Sequence, residues 1–232
     1  MKIGFDVISD LYLTPEDKFD WEGKATSLYC IVAGNISNDL RTIRQTLLHL
    51  GRFYQGVFYC LGSVEYENTT NIELRTKEIQ KICNTIKNVA LLHHHVVIVD
   101  SIAILGANGW YGNTLPADPM TEIQLEVHRN EDIIYLSSSV ERLQKHLDVK
   151  SIIMVSNSVP NTDLYFGQIP EHVKVQLPID LCLESDTEKK ITHWVYGTYD
   201  KVVDITNDNI NYINNSYYRR NPYWAKRINV EI

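Results

Sequence analysis

An α/β fold built on mixed β-sheets covered by helices is what the 232-residue sequence predicts, and two observations carry that prediction. In the first third, short apolar runs that read as buried strands alternate with helical patterns, as in a largely parallel sheet covered on both faces. From residue 89 onward the apolar runs become short and closely spaced, a pattern that favours antiparallel strands joined by turns.

The elements follow in order. "KIGFDVIS" reads as a first buried strand and is followed by an acidic loop. "SLYCIVAG" (27–34) is the second strand, and a helical pattern from Asn38 places Leu40, Ile43, Leu47 and Leu50 on one side. "GVFYCLG" (56–62) is the third strand. Thr70 to Glu73 matches a capping box, which predicts a helix carrying Ile72, Ile79, Ile82, Cys83 and Ile86. "VALL", "VVIVD" and "IAILGA" predict antiparallel strands. Pro116 to Arg129 is ambiguous and admits a helical insert, and Ser138 to Glu141 fits a second capping box that opens a short helix to Leu147. "SIIMVSNSVP" (151–160) resumes strand. "KVQLP", "ITHWVYG", "KVVDIT", "INYIN" and "RINVEI" predict short strands in the final third.

With 44% hydrophobic and 22% charged residues, the chain can bury one sizeable core. No internal repeat or Gly/Ser-rich linker divides it, so one domain over 1–232 is expected, with 217–232 as a basic-aromatic C-terminal segment. No apolar span approaches 20 residues and the first residues lack signal-peptide architecture, which predicts a soluble, cytoplasmic protein with no membrane partner. A net charge of −7 argues against a nucleic-acid binder. Cys30, Cys60, Cys83 and Cys182 show no CxxC pair, and Cys30 and Cys60 fall inside apolar strand runs; reduced core thiols are expected.

Chemistry in an open α/β sheet collects at strand ends. Here the strand ends carry Asp10-x-Tyr12, Gly34-Asn35, Gly62-Ser63-Val64-Glu65, Ser156-Asn157-Ser158-x-Pro160 and Gly197-Thr198-Tyr199-Asp200. In order and spacing, over roughly residues 1–218, these resemble the motifs of the calcineurin-like metallophosphoesterase family: D-x-H, G-D, G-N-H-E, a strand ending in His before Pro, and G-H-x-H. "SDLYL", "IVAGNIS", "YCLGSVEYE", "IIMVSNSVP" and "WVYGTYD" carry the likeness, and "IAILGANGWYG" is similar to a further segment of that family. The resemblance implies two facing mixed sheets flanked by helices. It also implies a dinuclear metal site, and that site is what this sequence lacks.

Of the seven positions matching the family's metal ligands, Asp10 alone keeps its residue type. Tyr12 stands at a His, Asn35 at the bridging Asp, Ser63 at an Asn, Asn157 at a His, and Thr198 and Asp200 at the two His of the last motif. Val64 stands where the leaving group's proton donor is expected, while Glu65, a supporting residue in the family, is kept. Two adjacent divalent ions need negative charge and imidazole around them. Two carboxylates among amides and hydroxyls offer at most a weak single Mg²⁺ or Ca²⁺ site at Asp10 and Asp200. No cofactor is therefore expected.

Asn35, Asn157 and Ser63 read as a hydrogen-bonded plug of the former cavity, and no His in the five motifs could activate a serine. His93-His94-His95 looks metal-like, but consecutive residues of an extended segment alternate faces, so the string reads as a turn between strands. Trp110 and Tyr111 read as core or rim residues. "YYRRNPYWAKR" (217–227) offers Arg219, Arg220, Tyr223 and Trp224 as partner-binding candidates, set against packing of the same segment onto the sandwich or a strip for single-stranded nucleic acid. The function expected is a catalytically inactive domain acting as a structural or protein-interaction module. Its Asn-, Ile- and Tyr-rich character suggests a viral (phage) component, in host cytoplasm or virion. The alternative is a phosphoesterase with a reduced metal site.

Overall fold

The computed structural model describes residues 1–69, 71–110, 119–165, 179–217 and 223–232. In chain order the elements are β1 (Lys2–Ile8), β2 (Tyr29–Ala33), α1 (Leu40–Leu50), β3 (Gly56–Cys60), α2 (Ile72–Asn84), β4 (Val89–Leu91), β5 (His95–Val99), β6 (Ile102–Ala107), α3 (Pro119–Gln144), β7 (Ser151–Ser156), α4 (Ile179–Ser185), β8 (Ile191–Tyr196), β9 (Val203–Asn207), β10 (Ile210–Asn214) and β11 (Lys226–Glu231). They form a five-stranded sheet, ordered β11-β1-β2-β3-β4, and a six-stranded sheet, ordered β5-β6-β7-β8-β10-β9. Both are mixed: β1 to β4 run parallel with β11 antiparallel at the edge, and β6, β7, β8 and β10 run parallel between antiparallel β5 and β9.

Alternation along the strands builds three apolar layers. Phe5, Val7, Ile31 and Phe58 of one sheet meet Ile104, Ile153, Val155 and Val195 of the other. The opposite face of the first sheet, with Cys30, Val32 and Tyr59, packs under Ile43 and Leu47 of α1 and Ile79 and Cys83 of α2. The opposite face of the second, with Leu105, Met154 and Trp194, packs under Leu136, Val140 and Leu143 of α3 and Cys182 of α4. The result is the expected pair of facing mixed sheets flanked by helices. All four cysteines are free and buried, and burial pushes the Cys83 and Cys182 thiols up to about 12. No described helix is long and apolar enough to cross a membrane.

Several local expectations change. β4 pairs parallel with β3 in the first sheet, while β5 and β6 form an antiparallel pair in the second. A three-residue apolar run does not encode its partner, and the turn at 92–94 carries the chain between sheets. The cap of α2 is Asn71, whose Oδ1 accepts from Leu74 N at 2.8 Å, and Thr70 lies outside the described residues. The second capping box opens nothing. Ser138 sits inside the 26-residue α3, where its hydroxyl donates to the Tyr135 carbonyl at 3.1 Å. Helix α4 occupies a stretch read among strands, and "KVQLP" lies outside the described residues.

Candidate functional site

Asp10, Asn35, Ser63, Asn157 and Thr198 follow β1, β2, β3, β7 and β8, so the topology brings them together at the carboxyl ends of strands from both sheets. The backbone there is bent sharply. Asp10, Tyr12, Asn35 and Thr198 have φ of 56°, 48°, 58° and 58°. Asp and Asn tolerate this left-handed region; a bulky Tyr and a β-branched Thr do so at a cost of about 1–3 kcal/mol each. Cross-strand bonds hold the bends, with Asp10 N donating to Gly34 O at 3.1 Å, Tyr12 N to Asn35 O at 3.0 Å and Gly197 N to Asn157 O at 3.0 Å. The segments also approach too closely for side chains at Gly34, Gly62 and Gly197. A Cβ on Gly62 would lie 2.2 Å from Asn35 Oδ1, and one on Gly197 would lie 2.4 Å from Ala33 O.

The side chains interlock. Asp10 Oδ1 accepts from Asn35 Nδ2 at 2.8 Å and Thr198 N at 2.9 Å, and its Oδ2 accepts from Ser9 Oγ at 2.9 Å. Asn35 Oδ1 accepts from Val64 N at 3.1 Å and Ser63 Oγ at 3.4 Å. Asn157 donates through Nδ2 to Ala33 O at 3.0 Å and accepts at Oδ1 from Thr198 Oγ1 at 2.6 Å and Ser63 N at 3.3 Å. Both amide orientations are dictated by chemistry, since a backbone N–H can only donate and a carboxylate or carbonyl can only accept. Tyr12 stands at the rim, 42% exposed, with its hydroxyl 3.3 Å from Asn35 Nδ2.

Burial raises the Asp10 carboxyl from 3.8 to about 6 against the pull of these donors. Burial and the Asp10 charge hold the Tyr12 hydroxyl well above its ordinary range, so it stays protonated. Behind them the buried Glu65 accepts from Asn35 N at 3.1 Å, Ile36 N at 2.6 Å, Gly62 N at 2.8 Å and Tyr59 OH at 2.7 Å. Glu65 thus ties the end of β2 to the end of β3. Asp200, the second carboxylate of the expected weak cation site, is exposed.

This donor set does not suit a pair of transition-metal ions. Asn35 turns an N–H, not an oxygen, toward Asp10, and no imidazole enters the five motifs. Among the described residues no three His, Cys, Asp or Glu side chains are grouped to hold a metal. Sequence reasoning missed Ser9 and Asn214: Ser9 Oγ lies 3.1 Å from Asn214 Oδ1 at the end of β10, making a sixth strand end part of the network. The polar run "INNS" after an apolar strand was the available signal.

The C-terminal candidates separate. Arg219, Arg220 and Tyr111 lie outside the described residues. Tyr223 is 5% exposed, packs against Trp21 and Tyr217, accepts from Ser9 N at 3.3 Å and donates to the Asn215 carbonyl. Trp224 is 56% exposed. His93 and His94 form the turn before β5, and Trp110 is buried against Tyr66.

No family model matches the sequence, and no curated protein matches it. Solved structures do. The chain is similar to phosphopantetheinyl hydrolase from Mycobacterium tuberculosis, with a TM-score of 0.64 at 17% identity over 98% of this chain and 96% of that one. A putative 5'-nucleotidase from Staphylococcus aureus gives 0.58 at 12% identity, covering 100% of this chain and 51% of that one. GAP50, the anchor in the inner membrane complex of Plasmodium, gives 0.51 at 10%, covering 92% and 71%. At such identities the likeness fixes the fold, which is the metallophosphoesterase-type α/β sandwich.

Proposed function

We propose that this chain is a catalytically inactive metallophosphoesterase-like domain that serves as a structural or protein-interaction module. One observation carries the reading: Asn35, at the position of the bridging carboxylate, donates to Asp10 at 2.8 Å and is held in that orientation by Val64 N at 3.1 Å. A cation entering between Asp10 and Asn35 would have to break the bond between them and meet an amide N–H, or break both bonds to turn the amide oxygen inward. The aliphatic Val64 offers no proton to a leaving group, and Thr198 satisfies Asn157 where imidazoles would converge. A fold that outlives its site remains a rigid scaffold. GAP50 is described as an anchor, and carrying that kind of role to this chain is part of the proposal. So is the assignment of the module as a viral (phage) component, in host cytoplasm or virion, which rests on its Asn-, Ile- and Tyr-rich composition.

The test is elemental analysis of protein expressed with added manganese and zinc, followed by assays on p-nitrophenyl phosphate mono- and diesters. The expected result is no stoichiometric transition metal and no turnover. Two metals per chain, or turnover lost in Asp10→Ala, would overturn the reading in favour of a hydrolase. One bound Mg²⁺ or Ca²⁺ without turnover leaves the module reading standing and assigns Asp10 and Asp200 a vestigial cation site.

A further inference from the structure

Away from the strand-end network, a cavity of about 690 Å³ opens between α2, α3 and the turn before β5. Five rings, His93, His94, Trp110, His128 and Tyr135, line it. His93 stacks on His94 at 4.6 Å and 10°, and His94 on Tyr135 at 4.8 Å; Trp110 lies 5.6 Å from His128 and is backed by the buried Tyr66 at 4.8 Å. Carboxylates sit among the rings. Asp132 is held by His94 Nε2 at 2.6 Å and Gly109 N at 2.8 Å, and Glu131, 56% exposed, lies at the rim 3.1 Å from His128. The three imidazoles do not make a metal centre, because the stacked rings of His93 and His94 keep their nitrogen lone pairs in parallel planes, and His94 and His128 each commit a nitrogen to a carboxylate. The groove continues past Glu131 along α3 to Val127 and Ile123, which are 50% and 57% exposed.

We propose that this groove docks a short peptide of a partner protein, seating one arginine or lysine side chain in the aromatic-walled cavity and an apolar side chain over Ile123 and Val127. Ring faces carry negative quadrupole density and attract a cation, and a guanidinium can stack on them while its edge meets a carboxylate. Of the lining carboxylates, Glu73 lies 3.8 Å from the one lining lysine, Lys77, and Asp132 is buried, so the exposed Glu131 is the carboxylate that meets an incoming cation, and the excess of carboxylates over lysine disfavours phosphate. Burial pushes the His93 imidazole down to about 4, so it adds no competing charge at neutral pH. From Glu131 to Ile123 the helix rises about 12 Å, the span of about four extended residues. The proposal rests on the interaction-module reading and names the surface that would serve it.

The test uses the full chain and the peptide acetyl-Arg-Ser-Ser-Leu-amide, with its citrulline counterpart as the uncharged isostere, followed by NMR titration. Shifts are expected at the Trp110 indole and along α3, with the arginine peptide binding at least about fivefold tighter than the citrulline one. Glu131→Gln should weaken the arginine peptide about threefold or more, and Val127→Ser should weaken both peptides. Equal affinities, or shifts elsewhere, would overturn the proposal. Binding of N-acetyl-argininamide as tightly as the tetrapeptide would replace the peptide by a small organic cation, and self-association abolished by Glu131→Gln would replace it by a second copy. Phosphoesterase turnover in the unaltered protein would instead sink the inactive-module reading, independently of these titrations.

Discussion

Asn35 Nδ2 donates to Asp10 Oδ1 at 2.8 Å, so the amide at the end of β2 neutralises part of a buried carboxylate at the end of β1. On the proposed reading the bond stands where a cation would, and changing either partner should report on whether the site is closed to one.

Asp10→Asn should leave the fold intact and alter its response to pH. Burial raises the folded carboxyl from 3.8 to about 6, so between those values the native state holds a proton that the unfolded chain has released. Stability from this group is therefore fully present below about pH 4 and falls as pH rises through 6. The displacement corresponds to about 3 kcal/mol at most. The amide oxygen introduced by the substitution could still accept from Asn35 and Thr198, while the new N–H₂ could donate to Ser9, whose hydroxyl can turn to Asn214. Urea unfolding from pH 4 to 8 should show a flatter profile in the variant and equal or greater stability at pH 7. A large loss at pH 7 would contradict this account.

Asn35→Asp should act in the opposite sense. Two carboxylates would face each other across about 3 Å with the donor between them gone, which costs on the order of 3 kcal/mol at neutral pH and raises the pair's pKa values. Mg²⁺ or Mn²⁺ should then restore thermal stability to the variant while leaving the wild-type midpoint unchanged. An equal metal-induced rise in the wild type would show that Asp10 already binds a cation.

How far the sequence foretold this arrangement depends on the distance over which each signal acts. The strand-end motifs were legible because each is a local run: an apolar strand, then a glycine or polar residue at a bend such as Gly34-Asn35. The helical faces of α1 and α2 were legible by periodicity, as Ile43 and Leu47 or Ile79 and Cys83 show. Sheet membership was not, because β4 needs β3 for its pairing and nothing in "VAL" says so. The full extent of α3 was hidden by Ser137 to Ser139, whose hydroxyls can bond to preceding carbonyls inside a helix as well as cap one. In the site, the residue type at each strand end could be read position by position. The compensating bonds could not, because Thr198 to Asn157 and Ser9 to Asn214 join residues far apart in the chain.

Glu65→Gln tests whether the retained carboxylate is structural. Four donors converge on it, three of them backbone N–H groups that cannot reverse. A glutamine presents one oxygen and one N–H₂, so at least one backbone donor would face another donor in a buried setting. The expected cost is about 2–4 kcal/mol, read from the urea midpoint, with loosened exchange protection at Ile36 and Gly62. A near-neutral outcome would mean that Glu65 does not organise the strand ends.

Tyr223 and Trp224 are neighbours in sequence with opposite surroundings, and the pair separates packing from docking in the C-terminal segment. The Tyr223 ring is buried against Trp21, and its hydroxyl joins Ser9 N, Asn215 Nδ2 and the Asn215 carbonyl, tying the segment before β11 to the ends of β1 and β10. Tyr223→Phe keeps the ring and removes the hydroxyl, leaving buried partners short of a bond; the expected loss is about 1–2 kcal/mol. Trp224→Ala removes a side chain that is 56% exposed and should change stability by no more than about 0.5 kcal/mol. Denaturant unfolding of both variants reads these values directly. A pull-down with each then asks which loses partners: capture reduced by Trp224→Ala at unchanged stability marks a docking residue, whereas capture that tracks stability across both variants makes the segment a structural strap and removes Trp224 from the partner surface.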